Sequence, residues 1–107
     1  MLAHAMKSLG FSGYYQLSAT QQTILADCLD RGNAEIILPA HNAYGDALSR
    51  NGWLKEISSV NLENRSYIIP ADKWQELLSM KSQILTPQMQ ADVRRFRATT
   101  LGRHYAV

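Results

Sequence analysis

Apolar positions along the chain fall into helical stripes and short β-branched runs, with capping and turn residues between them. Leu2, Met6 and Leu9 share the i, i+4, i+7 face of a short helix that Gly10 ends. After an aromatic lead-in around Tyr14 and Tyr15, Ser18 and Gln21 form a capping box. Ile24, Leu25, Cys28 and Leu29 then make one stripe, and Gly32 stops the helix. Glu35 to Leu38, closed by Pro39, reads as a brief strand. A second helix fits Ala40 to Asn51, burying Ala40, Tyr44, Ala47 and Leu48, although Gly45 weakens it by about 1 kcal/mol. Trp53 to Ile57 and Ser66 to Ile69 form a hairpin whose polar tip runs from Ser58 to Arg65. Asp72 caps a third helix, with Gln75 completing a second capping box and Trp74, Leu77, Leu78, Ile84 and Leu85 on the buried face. Thr86-Pro87 ends it and opens a fourth, striped by Met89, Val93 and Phe96.

This pattern predicts an α+β fold in one domain. Residues 1–16 form an N-terminal extension, 17–85 the folded body, and 86–107 a basic C-terminal helix and tail. A length of 107 residues with 46% hydrophobic and 19% charged positions suits a single globular core. No apolar run approaches the roughly 20 residues of a membrane span, and the first residues lack a secretory apolar stretch. Cys28 is alone, so no intrachain disulfide forms, and the expected setting is cytoplasmic.

Charge changes the picture at one end. Of eleven basic and nine acidic residues, Arg94, Arg95, Arg97 and Arg103 follow the last acid, Asp92. The remaining seven cations leave the rest of the chain at −2 and the tail at +4.

Three phrases carry a family resemblance. They are the capped opening from Leu17 to Leu25, the helix exit Ala47-Leu48-Ser49-Arg50-Asn51-Gly52-Trp53-Leu54, and Arg65-Ser66-Tyr67-Ile68-Ile69-Pro70 before a helix. Over roughly Leu17 to Leu78 the chain resembles a winged-helix domain, with a β-hairpin wing and extra C-terminal helices. It departs in having room for one helix, not two, between the first strand and the wing. The resemblance implies a small DNA-binding regulator of transcription, of the kind found on phage and other mobile elements.

On that reading the second helix presents His41, Asn42, Ser49, Arg50 and Asn51 to base edges, since Asn reads adenine and Arg reads guanine. Asp46 on the same side repels phosphate. Lys55 and Arg65 on the wing reach backbone phosphates, and Arg94, Arg95 and Arg97 supply a cationic surface. The bland alternative for each is a solvated face or a local ion pair. The Met89-Val93-Phe96 stripe, with no evident cover, predicts a homodimer, and Trp53 and Trp74 are expected in the core. No CxxC, HExxH, phosphate-binding glycine loop or GxSxG elbow occurs, so no enzyme, metal or cofactor is expected. Three functions remain, in this order: a DNA-binding regulator, with double-stranded DNA as partner; a non-catalytic adaptor that uses the same fold to bind a protein; and, last, a small hydrolase whose site is assembled from scattered residues.

Overall fold

A computed structural model describes residues 13–40 and 42–99. Its centre is helix α1, Ala19–Arg31. Ser18 Oγ accepts from the Gln21 N–H while Gln21 Oε1 accepts from the Ser18 N–H, and Gly32 closes the helix in the left-handed region at φ 68°. Seven consecutive residues of α1, Thr23 through Leu29, are buried, so this helix is enclosed on nearly every side. Before it, Tyr14 enters the core, its hydroxyl donating to the Gln22 carbonyl, while Tyr15 stays exposed.

Strand β1, Glu35–Pro39, follows, and helix α2 spans Ala43–Arg50. α2 starts three residues later than its apolar pattern predicts, because Asn42 caps it: Asn42 Oδ1 accepts from the Gly45 N–H at 2.7 Å. Tyr44, expected inside, is exposed, and Gly45 takes the inward position instead. A Cβ there would lie 3.0 Å from Leu38 Cδ1, so glycine lets α2 approach the sheet closely.

Gly52 at φ 82° turns the chain into β2, Lys55–Ser59, which pairs with β3, Asn64–Ile68. The three strands are antiparallel in the order β1-β3-β2. Ile36, Leu38 and Tyr67 face the core, and Ile37, Ser66 and Ile68 lie half-buried on the other face. The strands sit closer to the tip than the sequence pattern predicts. Trp53 and Leu54 are core residues ahead of β2, and the tip shortens to Val60–Glu63.

Helix α3, Ala71–Ser79, begins after Pro70 without a side-chain cap. Asp72 therefore lies inside the first turn, where its charge meets the positive end of the helix dipole, and the expected second capping box does not form. The helix breaks at buried Met80. A short helix α4, Lys81–Ile84, carries Ile84 inward, while Leu78 is exposed and Trp74 is only half-buried. Helix α5, Pro87–Ala98, is capped by Thr86, whose Oγ1 accepts from the Met89 N–H. α5 packs on α1. Val93 and Phe96 are buried in the same core as Ile24 and Leu29, with half-buried Met89 against them, so the stripe predicted to lack cover is covered by its own chain. None of the described helices is long and apolar enough to cross a membrane.

Candidate functional site

The structure takes the predicted cationic surface apart. On α5, Arg97 turns inward: its Nε donates to Asp27 Oδ1 at 2.6 Å and its Nη2 to Asp30 Oδ2 at 2.9 Å. Asp27 is 0% exposed, and its other oxygen accepts from Arg31 Nε at 3.0 Å. A buried carboxylate held by two guanidiniums thus joins α1 to α5. Burial alone would lower the Arg97 pKa, but the Asp27 and Asp30 carboxylates outweigh it and hold the group above its ordinary value. Arg95 pairs with Asp92, whose carboxyl is held below the usual range by hydrogen bonds from Arg95 and Gln88. Arg94 is exposed and forms no ion pair among the described residues. Arg97 is thus turned onto α1, while Arg94 and Arg95 stay exposed on α5.

Other candidates are scattered. His41 lies outside the described residues. Asn42 Oδ1 is occupied by its capping bond, Ser49 is half-buried, and Arg50 and Asn51 are exposed at the end of α2. Lys55 is exposed at the start of β2. Arg65 pairs across the hairpin with Glu56 at 2.9 Å. The described residues hold every chain cation except Lys7 and Arg103, hence nine of eleven, and all nine acids, so their net charge is zero.

The β1 edge of the sheet is largely closed. Ala40 donates to the Glu63 carbonyl and Ile69 to the Ala34 carbonyl, so the even-numbered residues of β1 bond to β3 and the odd ones face outward. Of these, the Glu35 N–H donates to Asn33 Oδ1 and its carbonyl accepts from Arg31 Nη2. Pro39 has no N–H, and its carbonyl accepts from Asn42. Among the described residues only Ile37 keeps outward backbone groups on that edge. β2 is interrupted by a bulge between Glu56 and Ser58, and a lysine leads it, two devices that discourage strand addition.

The most unusual surface is the hairpin tip. Leu62 is 96% exposed, and Ile57 and Val60 are exposed beside it. An exposed leucine on a loose loop means little, but this tip is tightly bonded. Asn61 Oδ1 accepts from the Glu63 N–H at 2.8 Å, the Asn64 N–H at 2.9 Å and Asn64 Nδ2 at 3.3 Å. The Val60 and Asn61 N–H groups donate to the Asn64 carbonyl, and the Glu63 carbonyl accepts from Ala40 at 2.7 Å. These bonds shape the backbone of the turn and leave the Leu62 side chain in water. Sequence reading places these residues in a polar tip and passes over Leu62; the available signal is the Asn61-Leu62-Glu63-Asn64 run, an Asx-turn with leucine at its apex.

Two surface depressions accompany it. One of about 490 Å³ lies over α3, α4 and the start of α5, lined by Leu78, Ser79, Lys81, Ser82, Leu85 and Gln90. The other, about 420 Å³, lies between Thr20, Thr23, Asp92, Arg95 and Phe96. Burial pushes the Cys28 thiol up to about 12, so it is neither a thiolate nucleophile nor a ready metal ligand at neutral pH. Among the described residues no three histidine, cysteine, aspartate or glutamate side chains gather into a metal site. In comparisons with known proteins, no family model, curated protein or solved structure matches the chain.

Proposed function

We propose that this chain is a non-catalytic interaction module that engages a protein partner through the tip of the β2–β3 hairpin. The carrying observation is Leu62, exposed at the apex of a turn whose backbone Asn61 Oδ1 cross-bonds. The bonded turn reduces the backbone freedom lost on docking, and burying the leucine side chain gains about 1.5–3 kcal/mol against roughly 0.5–1 kcal/mol of lost rotamer freedom. The charge distribution favours a protein over a polyanion, because Arg31, Arg65, Arg95 and Arg97 are neutralised within the fold and Glu63 stands next to Leu62. The order α1, β1, α2, hairpin, α3 supports a winged-helix type of module with the hairpin as its wing, working in the reducing cytoplasm that a single buried thiol suits.

The test is a photoreactive benzophenone side chain at position 62, with exposed Gln75 as the control position. A discrete protein adduct from position 62, absent from position 75, supports the reading. No protein adduct, or the same adducts from both positions, overturns it.

A second reading, a DNA-binding regulator, is favoured by one observation. Arg50 and Lys55 are exposed on either side of the Asn51-Gly52 turn, and neither forms an ion pair among the described residues. On that reading Arg50→Gln costs about 1–3 kcal/mol at a preferred site and little elsewhere.

A further inference from the structure

We infer that the hairpin tip docks on a second copy of this chain, with Leu62 covering the open depression over α3, α4 and α5. The inference rests on the tip being a protein-docking element and names its occupant.

The depression has the complementary chemistry. It is open, and in it exposed Leu78 and half-buried Leu85 lie among Ser79, Lys81, Ser82 and Gln90. Lys81 is exposed and forms no ion pair among the described residues. The same holds for Glu63, the neighbour of Leu62. One element therefore offers an apolar side chain beside a negative charge, and the other the leucines Leu78 and Leu85 in a depression that also holds a positive charge. The Val93–Phe96 stripe is consumed inside the fold, so self-association through the tip and depression uses a different surface from the one the apolar periodicity suggests.

Tip and depression are different surfaces of one chain, so a closed pair of copies makes an isologous contact in which each tip meets the other copy's depression. Each copy carries one tip and one depression, and two copies exchanging tips about a two-fold axis satisfy both at once. Reciprocal exchange also makes the second docking intramolecular, which strengthens a contact of small area.

Sedimentation of the full chain from low to high micromolar concentration tests this, with four variants: Leu62→Ala, Glu63→Lys, Lys81→Glu and the double Glu63→Lys/Lys81→Glu. The wild type should associate to a dimer. Leu62→Ala should weaken the dimer by at least about tenfold, since a buried leucine side chain carries most of the contact. Each charge reversal should weaken it, by roughly fivefold for a rim ion pair, and the double reversal should restore it. All three positions are exposed, so the denaturation midpoint serves as the control and should not move. A chain that is monomeric at every concentration overturns the inference, as does a dimer indifferent to Leu62→Ala and to both charge reversals. A position-62 adduct with a different protein, and no dimer, overturns this inference and leaves the docking tip standing. Absence of any adduct removes both.

Discussion

Replacing Arg97 with alanine removes one of two guanidiniums from a carboxylate that water does not reach. Hydrogen bonds to charged groups contribute about 1.5–3 kcal/mol, and stripping a partner from a fully buried pair costs about 3–5 kcal/mol. Arg97 is itself one-third exposed and Arg31 stays on the other oxygen, so the lower part of that range applies, about 2–3 kcal/mol. A domain this size unfolds in urea with a slope of about 1–3 kcal/mol per molar, so the midpoint should fall by about 1–2 M. Arg94→Ala, on the same helix and with the same loss of side chain, should stay within about 0.5 kcal/mol of wild type. A double-mutant cycle of Arg97 with Asp30 should return under about 1 kcal/mol, because that pair is partly exposed and Arg97 is held mainly by buried Asp27. Equal losses for Arg94→Ala and Arg97→Ala, or no loss for either, would refute the reasoning.

Three further outcomes follow from packing and titration. Trp53→Ala should cost about 3–5 kcal/mol in denaturant melts because Trp53 is buried beneath Lys73, whose Nζ sits 4.6 Å from its ring centroid; half-buried Trp74→Ala should cost clearly less. Gly45→Val should destabilise the fold by about 1–3 kcal/mol in the same melts, since its Cβ meets Leu38 Cδ1 at 3.0 Å and Leu38 is itself fully buried. Cys28 should resist alkylation until the chain unfolds. Its folded thiol is raised to about 12 from an ordinary 9.0, so its contribution to stability is fully present below pH 9 and declines as pH rises toward 12; a melt showing no alkaline decline contradicts this.

Local signals made much of the fold legible. The capping box at Ser18 and Gln21, Gly32, the β-branched run at Ile36 and the Thr86-Pro87 start each fix an element through interactions within a few residues. The pattern misleads where a local cap competes with apolar periodicity or where distant groups decide. Asn42 shortened α2 by taking the cap, and the approach of α2 to the sheet put Gly45 inside and Tyr44 outside. The Met89-Val93-Phe96 periodicity was real, but periodicity does not say which surface covers a stripe, and α1 covers this one.

The candidate site was harder to read. Arg94, Arg95 and Arg97 are alike in sequence and unlike in space, because Asp27 lies seventy residues from Arg97 in the chain and 2.6 Å from it in the fold. A carboxylate at Asp27 between Ile24, Leu25 and Cys28, one turn before Arg31, was the local sign of a buried ion pair. The cross-bonded tip, by contrast, depends on three hydrogen bonds to Asn61 Oδ1, which composition does not reveal.

The central claim is that four of the six described arginines, Arg31, Arg65, Arg95 and Arg97, are engaged by carboxylates of the fold and that recognition passes to the hairpin tip. Titration of a fluorescently labelled duplex with the wild-type chain, from low to physiological ionic strength, tests it most directly. With Arg65, Arg95 and Arg97 engaged by carboxylates, no saturable binding should appear at physiological salt. Were Arg94, Arg95 and Arg97 all to meet phosphates, log K would fall against log salt with a slope of about −2.7. Saturable binding with that slope, flattened when the three arginines become glutamine, would contradict the account.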